Sequence, residues 1–205
     1  MISLQVKNLN KKFNQHTVFK NLNFEHTSGI LGISGPNGSG KSTLVKCLAY
    51  LLRPSSGEIS WSKDQQQLTS KKLKSQIGYA APYISLYDEL TILENLEFLV
   101  EAGGDTANME HLRQLIERVQ VSKLTDQLYG SLSTGQQQRC KLAAALVRDP
   151  NILILDEPGS NLDKKGLELV TSIVKKESEK GRLLFLASND PSEIALCDEV
   201  IDISI

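Results

Sequence analysis

A lysine set behind three glycines and ahead of a hydroxyl is equipped to hold phosphate, and Gly35-Pro36-Asn37-Gly38-Ser39-Gly40-Lys41-Ser42-Thr43 carries those groups in that order. Gly35, Gly40, Lys41 and Ser42 match the pattern G-x-x-x-x-G-K-[ST]. The glycines let the backbone curl until successive N–H groups face one anion, and a helix opening near Lys41 adds the positive end of its dipole. Lys41 is expected to reach the β- and γ-phosphates of a nucleotide. Ser42 is expected to hold Mg²⁺, because a hard ion already bound to phosphate oxygens needs only one or two protein oxygens. Two carboxylates, Asp156 and Glu157, follow a second apolar run. Alone, such a pair can be a charged strand end; beside a phosphate loop, Asp156 belongs near the metal and Glu157 near the γ-phosphate, where it can take a proton from attacking water.

These groups need strands to deliver them and helices to leave them. Residues 30–33 read as the strand into the loop, and 42–52 as the helix out of it, ended by Arg53-Pro54. The continuous apolar run at 152–155 is expected to be a buried parallel strand with Asp156-Glu157-Pro158 at its carboxyl end. Before the loop, residues 2–7 and 17–24 nearly alternate apolar and polar side chains, the mark of half-buried antiparallel strands. Phe13 falls between them, after Lys11 and Lys12, and an aromatic ring in a turn near a nucleotide site can stack on a purine. Residues 57–61 and 77–81 read as further strands, the latter stopped by Pro82, and 62–75 as a solvated loop with a short helix.

From Thr91 the period changes. Thr91-Ile92-Leu93-Glu94 is a capping box with Leu93, Leu96, Leu99 and Val100 on one helical face, and 108–119 predicts a second helix. Ser133-Thr134-Gly135-Gln136 is another capping box, opening a helix that ends at Asp149-Pro150. A helix over 164–180 stops at Gly181, a buried strand covers 183–187, Pro191 starts a short helix, and 200–205 closes as a strand. Alternating strands and helices after residue 29 predict an α/β parallel sheet with ligands beyond its strand carboxyl ends.

With 205 residues, 40% of them hydrophobic and 23% charged, the chain can bury a full core as one domain and lacks a disordered or collagen-like composition. A net charge of −1 supplies no long-range attraction to nucleic acid, and none is expected as a partner. Cys47, Cys140 and Cys197 are far apart and set in apolar pattern, which predicts free buried thiols in a reducing cytoplasm. His16, His26 and His111 are expected to be solvated. No apolar run reaches the ~18 residues of a membrane span, and the first residues are unlike a signal peptide, so any membrane role is expected to come through another subunit.

Together these motifs resemble the ATP-binding subunits of ABC transporters over essentially the whole chain, in a minimal bacterial form similar to the haem-exporter subunits. Residues 35–43 resemble their Walker A motif and 152–157 their Walker B motif with its catalytic glutamate. Leu132-Ser133-Thr134-Gly135-Gln136-Gln137-Gln138-Arg139 is similar to the LSGGQ signature, with Thr134 for its first glycine, and Ser160-Asn161-Leu162-Asp163 is similar to the D-loop. The resemblance implies one domain over 1–205, a P-loop NTPase core with an N-terminal antiparallel β subdomain and a helical lobe inserted at about 85–140. It implies ATP and Mg²⁺, and a head-to-tail homodimer or heterodimer in which Ser133, Gly135 and Gln136 cap the γ-phosphate held by the other chain. A membrane-spanning partner is implied too, with this chain peripheral on the inner face of the cell membrane. Tyr83, Leu86 and Tyr87 lie where such a partner docks in the family, and aromatics are favoured interface anchors.

Two positions depart from the resemblance. Pro82 stands where the glutamine of the glutamine loop is expected, and proline has no side-chain polar atom. Asn189 stands at the histidine switch, where an amide can donate a hydrogen bond but cannot shuttle a proton. Slow ATP hydrolysis is the expectation, with Glu157, Lys41 and Asn189 acting on the reacting phosphate. A non-transport ABC ATPase, or an ATP-dependent dimerisation switch with little turnover, are the competing readings.

Overall fold

The computed structural model describes residues 1–203. Strands β1 (Ile2–Phe13) and β2 (His16–His26) form an antiparallel hairpin turned at Asn14, whose φ of 51° is tolerable because asparagine visits the left-handed region readily. Strand β3 (Ile30–Ser34) leads into the phosphate loop and helix α1 (Lys41–Leu48) leaves it. Strand β4 (Ser56–Lys63) returns antiparallel to β1, and the short β5 (Gln66–Gln67) adds to its edge, giving a four-stranded sheet ordered β2-β1-β4-β5. Helix α2 (Ser70–Lys74) and strand β6 (Ile77–Ala80) follow.

Helices α3 (Ile92–Ala102), α4 (Met109–Arg118) and α5 (Thr134–Leu146) come next, each with its N-cap side chain, Thr91, Asn108 or Ser133, accepting from the first turn. Strand β7 (Ile152–Asp156), helix α6 (Lys164–Glu179), strand β8 (Leu183–Ala187), helix α7 (Pro191–Ile194) and strand β9 (Glu199–Asp202) complete the described chain. The second sheet is parallel and ordered β6-β7-β8-β3-β9. The expected α/β architecture with an N-terminal antiparallel unit is therefore present.

The period-2 geometry of β7 divides the core in two. Ile152 and Ile154 face a cluster with Leu4, Val6, Trp61, Leu44 and Phe185, between the parallel sheet, α1 and the antiparallel sheet. Leu153 and Leu155 face the other way, toward Leu96, Leu112, Leu142 and Ile173 of α3 to α6. Trp61 is fully buried and its indole N–H donates to the Leu48 carbonyl at 2.9 Å, joining β4 to the end of α1. A Cβ at Gly78 would overlap the Ala145 carbonyl, so α5 rests directly on β6, and the helix opened by Ser133 is anchored to the strand that leads to Pro82.

Several local expectations are corrected. Helix α1 ends at Leu48 rather than residue 52, because Tyr50 turns left-handed (φ 53°) and the N–H groups of Leu51 and Leu52 both close onto Lys46 O. Phe13 is the last residue of β1, paired with His16, rather than part of a turn. The 62–75 stretch continues β4 to Lys63, adds β5 and buries Leu73 completely. Strand β9 stops at Asp202, and residues 204–205 of the strand expected there lie outside the described residues. His26 is not solvated: it is buried, edge-on to Phe185, and burial lowers its pKa. His111 is half-buried, with Nε2 3.3 Å from Val147 O.

All three cysteines are free thiols. Burial pushes Cys47 up to about 11 and Cys140 and Cys197 up to about 12. Among the described residues no helix is long and apolar enough to cross a membrane.

Candidate nucleotide site

The phosphate loop crosses from β3 to α1 with Gly35, Gly38 and Gly40 at φ of 147°, 84° and 104°. At Gly40 the requirement is double: the backbone is left-handed, and a Cβ would overlap Val18 Cγ1, so the loop is pressed against β2 as it becomes a helix. Lys41 is only 5% exposed, yet its ammonium is satisfied: Nζ donates to Gly35 O at 2.8 Å and Pro36 O at 3.3 Å and pairs with Glu157 Oε1 at 3.2 Å. Pro36, Asn37 and Gly38 are exposed, and Ser39, Ser42 and Thr43 half-buried, so the loop presents its backbone outward. Helix α1 opens at Lys41, and a helix start with its unpaired N–H groups favours an anion.

Strand β7 delivers the carboxylates as expected. Asp156 is fully buried. Its Oδ2 accepts from the Tyr83 hydroxyl at 3.2 Å, while Oδ1 is buried with no hydrogen-bond partner. Burial raises its pKa, opposed by the neighbouring Ser42 and Tyr83 hydroxyls. Glu157 takes the next step of chain in a left-handed conformation (φ 47°), which costs about 1–2 kcal/mol for a residue with a Cβ. Its N–H still bonds Ala187 O at 2.8 Å, continuing the ladder to β8, so the turn aims the side chain back at Lys41.

The loop after β8 completes this side. Asn189 donates its amide to Asn37 Oδ1 at 2.8 Å, so the residue expected at the switch position is bound to the phosphate loop itself. Pro82, Asn37, Glu157 and Asn189 line one recess together with Glu193. Pro82 contributes no side-chain polar atom to it. Glu193 is buried at the third position of α7, beside Gly159 and Ser188, and burial raises its pKa, with Asp190 and Glu157 adding repulsion. Sequence reasoning missed Glu193 because an acidic residue in a first turn reads as a dipole partner; here it turns inward.

The segment that resembles the signature lies in a separate recess. The Ser133 hydroxyl accepts from Gln136 N, and Gln136 Oε1 accepts from Ser133 N at 2.9 Å, so Gln136 serves its own helix start. A Cβ at Gly135 would come within 3.1 Å of Asn161 O, which places the 160–163 segment against the opening of α5. Arg139 ties the two together, donating to Gln120 Oε1 at 2.9 Å and Asp163 Oδ1 at 3.2 Å. Ser133, Thr134, Gly135, Gln136 and Asn161 line an open recess. Phe13 is 48% exposed at the β1–β2 hairpin, with the Lys11 ammonium 4.6 Å from its ring centroid. Tyr87 is exposed and packs edge-on to Phe98 at 5.0 Å, while Tyr83 turns its hydroxyl into the site.

A glycine-wound loop between a parallel strand and a helix, with a buried lysine, a hydroxyl and a strand-end carboxylate converging on it, defines a P-loop nucleoside-triphosphate-binding protein. The comparisons narrow the class. The family described as ABC transporter matches residues 19–160. The cytochrome c biogenesis ATP-binding export protein CcmA of Mannheimia succiniciproducens is 32% identical over 173 residues, 84% of this chain and 80% of that protein. The arginine transport ATP-binding protein ArtM of Bacillus subtilis is 31% identical over 207 residues, 97% of this chain and 85% of that protein. A bacterial ABC transporter cassette solved as a dimer superposes with a TM-score of 0.88 at 25% identity, covering 98% of this chain and 94% of that one. A dimeric cassette in a post-hydrolysis state with ADP and Pi superposes at 0.86 and 26% identity, covering 97% and 93%. The chain belongs to the ABC transporter ATP-binding family, a family of ATP hydrolases.

Proposed function

We propose that this chain binds Mg·ATP at the Lys41 loop, pairs head to tail with a second ATP-binding subunit and drives a separate membrane-spanning subunit from the inner face of the cell membrane. The observation that carries the reading is the arrangement around Asp156: a buried carboxylate with one oxygen left without a partner, on the strand end beside Ser42, with Lys41 paired to the next residue, Glu157. A buried acceptor without a donor costs about 1–3 kcal/mol, and hard oxygens of this kind suit Mg²⁺. Ser42 and Asp156 would hold the ion, which when bound neutralises charge on the phosphate oxygens. Lys41 and the backbone N–H groups of residues 38–43 hold the β- and γ-phosphates. Glu157 accepts the proton of the attacking water, a role worth about 10²–10⁴ in rate. Val18 lies against Gly40, so the β1–β2 hairpin adjoins the loop, which supports Phe13 as a face for adenine.

The signature recess supports the pairing. Ser133, Thr134 and Gly135 open a helix whose dipole and N–H groups favour an anion, on a surface that lacks a phosphate loop of its own. In a head-to-tail dimer they meet the γ-phosphate of the other chain. Glu157→Gln should abolish turnover and trap ATP, so that size exclusion with Mg·ATP shows a dimer that Ser133→Trp in the same chain removes. A Glu157→Gln protein that binds ATP yet stays monomeric overturns the pairing. A second reading, a dimerisation switch with little turnover, is favoured by Pro82 in the recess and by the Asn189 amide being committed to Asn37.

A further inference from the structure

The position expected to carry a glutamine holds Pro82, yet the next residue brings a hydroxyl to the metal-binding carboxylate. Tyr83 is held from three elements. Its hydroxyl is hydrogen-bonded to that of Tyr79, which β6 fixes in register with Ile154 of β7. The Lys46 ammonium, one helical turn beyond Ser42 on α1, lies 3.7 Å from its ring centroid. The same hydroxyl donates to Asp156 Oδ2 at 3.2 Å. A phenol has one proton to give. If Tyr83 gives its proton to Asp156, it must accept from Tyr79, so the relay runs in one direction from Tyr79 to Tyr83 to the carboxylate.

We propose that Tyr83, supported by Tyr79 and Lys46, is the positioning residue that orients Asp156 toward the nucleotide's metal, and that this tyrosine pair does in this chain the orienting work for which Pro82 has no polar atom. The proposal rests on the Mg·ATP reading above. With Oδ2 held by Tyr83, the carboxylate can rotate only by breaking that bond, and Oδ1, buried without a hydrogen-bond partner, is left for the metal. Partners that hold a metal-ligating carboxylate commonly matter about 10- to 100-fold in metal affinity or activity. The arrangement also links the Pro82 loop to the metal: a displacement of that loop moves Tyr83, and with it the hydrogen bond on Asp156.

Tyr83→Phe keeps the ring and its contact with Lys46 and removes only the hydroxyl. ATP affinity measured by calorimetry in EDTA should stay within about twofold of wild type, while the gain in affinity on adding Mg²⁺ should fall about tenfold. Mn²⁺ titrations followed by electron paramagnetic resonance in the presence of ATP should show the same loss. Tyr79→Phe leaves Tyr83 in place without its donor and should produce a smaller shift of the same sign, with thermal melting confirming that both variants fold. A Tyr83→Phe protein with wild-type Mg²⁺ and Mn²⁺ dependence overturns the proposal and returns Tyr83 to packing or docking, as does an equal loss of ATP affinity in EDTA and in Mg²⁺. Failure of the wild-type protein to bind ATP under either condition defeats the nucleotide reading instead.

Discussion

Lys41 is buried with three acceptors around its ammonium, and Asn189, Asn37, Glu157 and Tyr83 are each bonded to another member of the same site. Ser133 and Thr134, by contrast, are exposed, and the capping box they open is satisfied by its own helix. Both regions present a helix start, and the helix dipole favours an anion at each. They differ in what stands behind the helix. At the loop, a cation is buried among groups placed to release it to phosphate; at the other helix start, the nearby cation Arg139 is paired with Asp163, and the opening of α5 is set against Asn161. A site with a buried cation can hold a nucleotide alone, whereas a neutral helix start of modest strength becomes useful when another chain supplies the anion. On the proposed reading the difference is a division of labour, with affinity assigned to Lys41 and assembly to Ser133 and Gly135.

Lys41→Ala breaks the first half of that comparison with the largest expected effect. A charge-assisted contact to phosphate is worth about 1.5–3 kcal/mol, so ATP affinity by calorimetry should fall roughly ten- to a hundredfold. Ser133→Trp should leave monomer affinity alone, and the contrast between the two variants is the point of the measurement. Equal losses in both would mean that the signature contributes to binding within one chain.

Asn189→His sharpens the comparison by changing rate at the completed site. The amide of Asn189 is bound to Asn37, and a histidine there would offer a titratable N–H to the reacting phosphate. Steady-state turnover at saturating ATP should rise about tenfold with little change in affinity, since preorganised donors act mainly as charge develops. An unchanged or lower rate in a folded variant would reject Asn189 as an impaired switch and favour compensation by its neighbours.

How much of this was legible in the chain depended on separation in sequence. The loop, the carboxylate pair and both capping boxes are local patterns, since each requires residue types a few positions apart, and they appear where the pattern placed them. The buried strands β7 and β8 were equally plain, because runs of four and five consecutive apolar residues flanked by helices have few other uses. Contacts across the fold were not legible. Tyr83 meets Asp156 from 73 residues away and Asn189 meets Asn37 from 152, and no spacing rule connects either pair. Tyr83 is 47% exposed, in keeping with the surface position expected of it, but its hydroxyl bond to Asp156 could not be read from the sequence, because the contact depends on Tyr79 of β6 and on the end of β7. The end of α1 also failed, since the left-handed Tyr50 is held by its hydroxyl bond to Ile59 O at 2.7 Å, a tertiary contact that overrides helix propensity.

Glu193→Gln carries the smallest expected effect and probes why the loop side tolerates so much buried charge. Glu193 is 5% exposed, with one carboxylate oxygen lacking a hydrogen-bond partner, and a Cβ at Gly159 would overlap it, so the turn after Glu157 closes over this acid. Burial raises its pKa, Asp190 and Glu157 raise it further, and the Ser188 hydroxyl and Gly159 N–H pull it down; burial is the largest of these. A carboxyl whose folded pKa lies above its ordinary value of 4.5 contributes stability that is fully present below that value and is lost as pH rises through the folded pKa. Glutamine stays neutral throughout. The melting temperature of the variant minus that of wild type should therefore increase from about pH 5 to pH 8, and a change of 1 kcal/mol moves the midpoint of a chain this size by about 2–4 °C, within reach of calorimetry. Asp156, whose pKa is also raised, is present in both proteins and cancels in the difference. A difference that falls with pH would mean that hydrogen bonds from Ser188 and Gly159 hold Glu193 ionised. In that case the acid beside Glu157 is a second fixed negative charge at the γ-phosphate side rather than a neutral donor to the turn.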